Sequence, residues 1–389
     1  MLEIFETIIL LIKSALTGEK VKISEDTDWK TILKLSKSHQ VAPIVYYGIE
    51  NSQLNIPNDI KEKFFNQVIQ SIVVEQNQVL EFKSVSENFE QKGIDYLPLK
   101  GCVIKKLYPK SEMRIMGDMD ILVRQNQITE VCSVMENLGF VQGEVTENVI
   151  VYTKNIVNFE MHTSLCTTDD VYYNYFKDNW DKAFLKTTDK HRYVFSNEDA
   201  FVFDFVHLVK HYTRGGVGLR QFIDIWLMLK KFDDMNTEYI ISEFKKLGLL
   251  EFYNNVVDTV ENWFGNKEQT DITKFITDIT LKSGSFGTEG KRSASVAMKV
   301  VKEKGKSKNN ILYKILCTVF LPFSAMKTIY PILEKAPILL PIMWVVRWFK
   351  TLFFKRKNIS KQINRIQNST NSAVDSYLSE LEYVGLKTK

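Results

Sequence analysis

Two aspartates, Asp118 and Asp120, stand two residues apart at the start of the apolar run 119–123. Alternate residues of a β-strand project from the same face, so we expect both carboxylates to lie side by side. Two negative charges at that distance repel each other, and a divalent cation that prefers oxygen ligands relieves the repulsion. The pair therefore predicts a Mg²⁺ site with both aspartates as catalytic metal ligands. The alternative is two solvated acids in a turn before a strand.

A later strand-forming run, 156–162, supplies a third carboxylate. Glu160 and His162 share one face of this strand, opposite Phe159 and Met161. We predict that Glu160 completes the metal site or acts as the general base for an acceptor hydroxyl. A merely solvated glutamate is the alternative. His162 is predicted to orient the acceptor or to neutralise a phosphate, with a structural role as its alternative.

Residues upstream of the aspartates offer groups that bind phosphate. Gly101 follows Lys100 in a short turn, and backbone N–H groups in such a turn can face an anion. Arg114 precedes Asp118 by four residues, and a guanidinium binds phosphate through two parallel hydrogen bonds. We therefore predict Lys100, Gly101 and Arg114 as nucleotide-binding residues. For Arg114 the alternatives are a surface position or a salt bridge to the aspartates.

The pattern of apolar residues predicts an α+β fold, in which a small mixed β-sheet core is flanked by helical N-terminal and C-terminal regions. Within the core we predict a helix 126–138 with Asn126 as its N-cap, a short helix 101–107, and strands 94–99, 119–123, 149–153 and 156–162. The same pattern divides the chain into a helical N-terminal region 1–90, a core 91–195, a helical domain 196–282, an exposed linker 283–310 and a basic, aromatic helical tail 311–389.

Two further groups of polar residues fall in the helical domain. His207 and His211 lie one helical turn apart, but no third ligand accompanies them in a zinc pattern. We predict packing or hydrogen bonding for them instead of metal binding. Asp224 falls within an apolar helix, where burial demands a partner, and Arg220 one turn away is the candidate. A structural role is expected for this pair, with a position beside the nucleotide pocket as the alternative.

Taken in order, these residues resemble the nucleotidyltransferases of the DNA polymerase beta-like superfamily, and more closely the bacterial uncharacterised nucleotidyltransferase family. The resemblance rests on Leu99-Lys100-Gly101, Arg114, 117–123 and 159–162, and it extends to His207-x-x-x-His211, the helix from Leu219 to Asp224 and the tail around Trp344. The sequence departs from the superfamily at Lys100-Gly101-Cys102, where Gly-Ser or Gly-Gly is usual.

The resemblance implies a bacterial, Mg²⁺-dependent transferase. Such an enzyme moves a nucleoside monophosphate from an NTP, with ATP among the expected donors, to an acceptor hydroxyl or phosphate and releases pyrophosphate. The acceptor stays open. Carbohydrate or cell-surface polymer chemistry is one class, and protein AMPylation or antibiotic modification are others. A membrane-surface protein that keeps this fold without catalysis is the alternative from a different functional class.

The composition is that of a globular protein, with 44% apolar and 25% charged residues, which excludes a disordered chain. The four cysteines are scattered without a CxxC pair, so we predict reduced thiols in the cytoplasm. The segment 1–13 carries Glu3 and Glu6 ahead of its apolar run, which favours an amphipathic helix over a secretory signal.

Charge is distributed unevenly along the chain. Residues 291–389 carry 19 basic and 5 acidic side chains, whereas the preceding residues carry 32 and 42. Residues 311–357 combine positive charge with apolar and aromatic side chains, which suits a peripheral contact with an anionic membrane, such as the inner membrane surface. Packing on the core is the alternative. We do not expect nucleic acid as a partner, because no recognised binding motif accompanies the basic residues.

Overall fold

A computed structural model describes residues 2–178, 180–232, 234–284, 336–354 and 371–387, together with Lys291, Phe320, Phe323, Met326, Tyr330 and Leu333. The chain begins with four helices: α1 (Leu2–Thr17), α2 (Trp29–Ser38), α3 (Ala42–Asn51) and α4 (Asn58–Lys92). No glycine or proline interrupts α4 over its 35 residues. It ends where Gly93 adopts a left-handed conformation with φ of 70°.

A five-stranded mixed sheet follows. Its elements in chain order are β1 (Tyr96–Pro98), α5 (Gly101–Ile104), β2 (Asp118–Val123), α6 (Ile128–Asn137), β3 (Val141–Val145), β4 (Val149–Lys154) and β5 (Val157–His162), with 3₁₀ turns at Lys105–Leu107, Ser111–Met113 and Gln125–Gln127. The strand order is β1-β2-β5-β4-β3. Strands β2 and β5 are parallel and the other neighbours are antiparallel. The predicted α+β class and mixed sheet are confirmed.

Two details of the sheet region differ from the sequence-based expectation. Strand β3 was not expected, because it contains Gly143 and its side chains are mostly exposed, so apolar and polar residues do not alternate along it. Asn126 does not cap the helix that follows. It lies inside the 3₁₀ turn, and α6 begins only at Ile128, behind Gln127, whose side chain forms no capping hydrogen bond.

Helices α4 and α6 cover one face of the sheet. The apolar residues of β2 and β5 are buried there with side chains of both helices: Met119, Ile121, Val123, Phe159 and Met161 with Val85, Phe89, Val131 and Met135. Side chains alternate along a strand, so the polar residues between them project from the other face. The packing of α4 and α6 therefore turns the predicted site residues of both strands away from this apolar core.

The second half of the described chain is mainly helical. Its elements are α7 (Tyr173–Phe176), a hairpin of β6 (Ala183–Leu185) and β7 (Tyr193–Phe195), and then α8 (Asn197–Tyr212), α9 (Leu219–Lys231), α10 (Thr237–Leu247), α11 (Leu250–Phe264) and α12 (Asp271–Ser283). Phe5 of α1 packs edge to face on Trp263 of α11, with 5.4 Å between ring centres. The N-terminal helices and the helical domain thus share one apolar core.

The C-terminal part contains a 3₁₀ turn at Pro337–Leu339, α13 (Leu340–Phe354) and α14 (Asn371–Tyr383). The Tyr377 hydroxyl of α14 donates to the Tyr212 carbonyl at 3.0 Å, so this end packs on the helical domain. Apart from 283, 284 and Lys291, the predicted linker 283–310 lies outside the described residues, as does much of the predicted membrane-contact region 311–357. Within the described ranges, no helix combines the length and apolarity that crossing a membrane requires.

Candidate active site

The parallel pairing of β2 with β5 brings the predicted acidic residues together. Asp118 lies opposite Asn158, Asp120 lies opposite Glu160, and the next residues in register are Ile121 and Met161. Because both strands direct their odd-numbered apolar residues into the core, the carboxylates share the opposite face. The expected common face is therefore present, and the pairing itself supplies the register that a single sequence does not reveal.

Asp120 lies at the centre of a buried polar cluster. Its Oδ1 atom accepts a hydrogen bond from Lys100 Nζ at 2.6 Å and lies 2.9 Å from His162 Nε2, which is also 3.4 Å from Glu160 Oε2. Burial alone would raise the pKa of Asp120, but Lys100 and His162 outweigh burial and hold that pKa well below its usual range. Hydrogen bonds to Asp120 and Glu160 likewise overcome burial and raise the pKa of His162.

This cluster has the donor set of a divalent-cation site. Asp120, Glu160 and His162 each offer a ligand atom, and these atoms all lie within 4.8 Å of one another. Two carboxylates and an imidazole suit divalent cations in general. Asp118 is not part of this group of three. Burial, and after it the charges of Glu160 and Asp120, raise the pKa of Asp118, so it borders the cluster electrostatically.

The predicted phosphate-binding turn has an unusual backbone. Lys100 precedes α5 with φ of 48° and ψ of −121°, in the left-handed half of conformational space, and its ammonium group reaches back to Asp120. At Gly101 a Cβ atom would lie 2.5 Å from Arg114 Nη1 and 2.6 Å from Met116 Sδ. A side chain at position 101 would therefore displace Arg114 or Met116. The role of both residues in binding phosphate stays a prediction.

Arg114 forms a buried ion pair with a residue that the sequence did not connect to it. Its Nε and Nη2 atoms donate to the two carboxylate oxygens of Asp224, each at 2.8 Å, and the Tyr108 hydroxyl donates to Asp224 Oδ1 at 2.7 Å. The predicted Asp224–Arg220 pair is wrong. Arg220 instead donates from Nη1 to the Ile115 carbonyl at 2.8 Å. The bidentate geometry with Arg114 satisfies Asp224 better than a neighbour one helical turn away.

A cleft of about 370 Å³ connects these groups with the helical domain. Its wall on the sheet side includes Lys100, Gly101, Asp118, Asp120 and Glu160. The opposite wall is formed by α8 and α9 and includes Asp204, His207, His211, Arg220, Gln221 and Asp224, and Gln40 also lines the cleft. Residues of the predicted core 91–195 and of the predicted helical domain 196–282 therefore meet at the candidate site.

Sequence reasoning did not single out Asp204, Gln40 or Gln221. A signal for Asp204 was present, because this acid lies between phenylalanines in a strongly apolar helix and three residues before His207. His207 Nε2 lies 2.9 Å from His211 Nε2, so one ring donates to the other. Their predicted hydrogen bonding is thus to each other, at the cleft.

One protein-family model matches more than half of this chain. The model of a family described as "Uncharacterised nucleotidyltransferase" matches residues 25–265. No curated protein matches this chain. A solved structure of the antibiotic-resistance factor ANT(2'')-Ia is 10% identical, with a TM-score of 0.35, and the match covers 46% of this chain and 97% of that one.

Proposed function

This chain belongs to the uncharacterised nucleotidyltransferase family, and on that premise we propose that it transfers a nucleoside monophosphate from an NTP, in the presence of Mg²⁺, to a hydroxyl-bearing acceptor. The observation that carries the proposal is the convergence of Asp120, Glu160 and His162, of which the two acids line a cleft large enough for a ligand. Asp118 borders this group and completes the predicted acidic set.

In the proposed reaction an acceptor oxygen attacks the α-phosphorus of the NTP. The new O–P bond forms as the bond from the α-phosphorus to the pyrophosphate oxygen breaks, and the acceptor proton passes to Glu160. The Glu160 side chain is 31% exposed, so an acceptor can reach it from the cleft. A bound divalent cation would stabilise negative charge on the phosphate oxygens. Asp118 and Asp120 are the residues we propose to hold it, and completing this set is the alternative role of Glu160.

Lys100, Gly101, Arg114 and His162 are the proposed nucleotide contacts. Lys100 is bonded to Asp120, and a cation on that carboxylate would compete for the same oxygen and free the ammonium group for a phosphate. Arg114 uses Nε and Nη2 on Asp224, which leaves the donors of Nη1 directed toward Gly101. Both cations therefore have a route to a phosphate at the turn.

The test is a screen of the four α-labelled NTPs with Mg²⁺ and cell extract, scored by transferred label and by pyrophosphate release. Asp120→Asn and Glu160→Gln are the active-site variants. Asp59→Asn is the matched control, because the Asp59 side chain is 60% exposed and does not line the cleft. We expect a loss of at least about 100-fold in transfer for both active-site variants, the order seen when a catalytic group is removed.

Two results would overturn the proposed function. One is transfer by Asp120→Asn or Glu160→Gln at the rate of the wild-type protein. The other is an absence of Mg²⁺-dependent label transfer from all four NTPs. Wherever label appears, its carrier identifies the acceptor class. Label in a small molecule or polymer supports carbohydrate chemistry or antibiotic modification, whereas label in a protein band supports AMPylation.

We also propose a cytoplasmic location with peripheral contact at the inner membrane surface through 311–357. Its support is the exposure of Ile338 and Ile342 beside Trp344, at 87% and 55% for the two isoleucines, together with the basic charge of the segment. Sedimentation of the full chain with vesicles of phosphatidylglycerol, compared with phosphatidylcholine and with an Ile338→Glu/Ile342→Glu variant, tests it. Equal sedimentation of the variant and the wild-type protein with anionic vesicles contradicts it.

A further inference from the structure

One wall of the cleft carries a buried carboxyl group that the proposed chemistry does not use. Asp204 of α8 is only 9% exposed and lines the cleft. It accepts no side-chain hydrogen bond and forms no ion pair with any residue that the structure describes. Burial, and after it the charge of Asp224, raise the pKa of Asp204 to about 8. A buried carboxyl without a partner is costly, which indicates that a ligand supplies the partner.

The position of Asp204 follows from the helix. Asp204, His207, Leu208 and His211 are spaced by three, four and seven residues, so they form one stripe of α8, and all four line the cleft. Burial lowers the pKa of His207 well below its usual value, so its ring is neutral. This stripe faces the sheet wall that carries Lys100 and Asp120.

The polar side chains around this stripe offer both hydrogen-bond acceptors and donors. The side-chain oxygens Gln40 Oε1 and Gln221 Oε1 are buried without a hydrogen-bond partner among the described residues, and both residues line the cleft. Arg220 Nε is an unpartnered donor beside them. The carboxyl group of Asp204, which keeps its proton at neutral pH, and the two glutamine amides each combine an acceptor oxygen with a donor hydrogen. The complementary ligand is one whose hydroxyl or amino groups both donate and accept.

The charges that line the cleft favour a ligand with hydroxyl groups over one with ammonium groups. Lys100, Arg114 and Arg220 line the same cleft as Asp204. Lys100 and Arg114 are paired with Asp120 and Asp224. Arg220 has no such ion pair among the described residues, and the carboxyl group of Asp204 keeps its proton at neutral pH, so an ammonium group on this wall would be repelled by Arg220 without a counter-charge from Asp204, whereas a neutral hydroxyl meets no such repulsion. The triphosphate, which carries the opposite charge, belongs with the cations at the turn instead of with the carboxyl group of α8. The wall therefore suits a neutral, hydroxyl-rich molecule.

We propose that Asp204, with His207, Gln40 and Gln221, binds the acceptor of the transferred nucleotide, and that this acceptor is a neutral polyhydroxylated molecule with one hydroxyl donating to Asp204. The assignment rests on the proposed function and names its acceptor class. Asp204 is a positioning residue in this scheme: it holds a second hydroxyl while the reacting hydroxyl faces Glu160.

The experiment uses defined probes with the full chain. Glucose, galactose and sorbitol are the neutral polyols, glucosamine is the cationic comparison, and a fluorescent ATP analogue reports nucleotide binding. The variants are Asp204→Asn, Asp204→Leu and Gln221→Leu, with Asp59→Asn as the control. Polyol binding is measured by saturation-transfer NMR in the presence of Mg²⁺ and a non-hydrolysable NTP, so it requires no turnover. Pyrophosphate release is measured in parallel.

We expect Asp204→Leu to weaken binding of the bound polyol by at least about tenfold while the affinity for the ATP analogue stays within about twofold, a loss that corresponds to about 1.4 kcal/mol. Asp204→Asn keeps an acceptor oxygen, so its polyol affinity should lie between those of the wild-type protein and Asp204→Leu. Gln221→Leu should show a smaller loss of the same kind and keeps the test valid if Asp204→Leu does not fold.

Three outcomes would overturn the assignment: weaker binding of the ATP analogue in step with the polyol, saturable wild-type binding of glucosamine alone, or no saturable polyol binding by the wild-type protein. Failure of the proposed function looks different. Polyol binding would then depend on Asp204, yet no NTP would yield pyrophosphate in the wild-type protein.

Discussion

Replacing Asp224 with alanine should strongly destabilise the protein, because it leaves a buried guanidinium without its counter-charge. The side chains of Arg114 and Asp224 are 8% and 7% exposed, and two parallel hydrogen bonds of 2.8 Å join them. Asp224 holds the pKa of Arg114 above its usual value despite burial, so the guanidinium cannot escape the penalty by losing its proton.

The size of the effect follows from this geometry. Removing one partner of a buried ion pair costs about 3–5 kcal/mol, and the orphaned Tyr108 hydroxyl adds about 1 kcal/mol. The exposed pair between Lys63 and Asp59, with side chains 54% and 60% exposed, provides the matched comparison. Lys63→Ala should cost no more than about 0.5 kcal/mol.

Urea unfolding followed by tryptophan fluorescence measures both variants. The double variant Arg114→Met/Asp224→Leu removes both charges and should recover most of the lost stability, because no buried charge then remains unpaired. An Asp224→Ala variant within about 1 kcal/mol of the wild-type protein would refute the reasoning. So would a double variant as unstable as the sum of its single changes.

Two further predictions concern the same cleft. Gly101→Ala should lower the free energy of unfolding in urea by about 1–3 kcal/mol, because the new Cβ would lie 2.6 Å from the Met116 sulfur. The control Gly117→Ala places its Cβ where no atom lies within 4 Å and should change stability by less than about 1 kcal/mol, so equal effects of the two variants would contradict this reasoning. The folded-state pKa of Asp204, about 8, lies above the unfolded value of about 3.9, so between these pH values the native state binds one more proton than the unfolded state. The wild-type protein should therefore lose stability relative to Asp204→Asn by up to about 1.4 kcal/mol per pH unit as pH rises toward 8, with no further change above pH 8. If the free energies of unfolding of the two proteins run parallel from about pH 5 to 9, this prediction is wrong.

The shared face of the acidic residues could be predicted because strand periodicity is a local property. Asp118 and Asp120 alternate with apolar residues, and so do Glu160 and His162, which is enough to assign both pairs to the polar faces of their strands. The parallel pairing that places Asp120 beside Glu160 is a property of the sheet, and the family resemblance, not the spacing, linked the two strands.

The cations of the site could not be assigned in the same way. Lys100 and Asp120 are 20 residues apart in the chain, and Arg114 and Asp224 are 110 apart. Contacts over such distances depend on how helices and sheet pack together. A prediction from helical spacing alone therefore paired Asp224 with Arg220, whereas Arg220 donates to the backbone carbonyl of Ile115.

The Arg114–Asp224 contact links stability to the geometry of the cleft. Arg114 belongs to the segment that leads into β2, and Asp224 belongs to α9, so their ion pair fixes one wall of the cleft against the other. The Tyr108 hydroxyl, which comes from the segment between β1 and β2, also donates to Asp224. The acidic strands would hold the nucleotide side of the reaction, and α8 and α9 would hold the acceptor side. Since neither wall alone contains both sets of groups, the distance between the reacting oxygen and the α-phosphorus depends on this buried pair, and a change at Asp224 should alter catalysis even in molecules that remain folded.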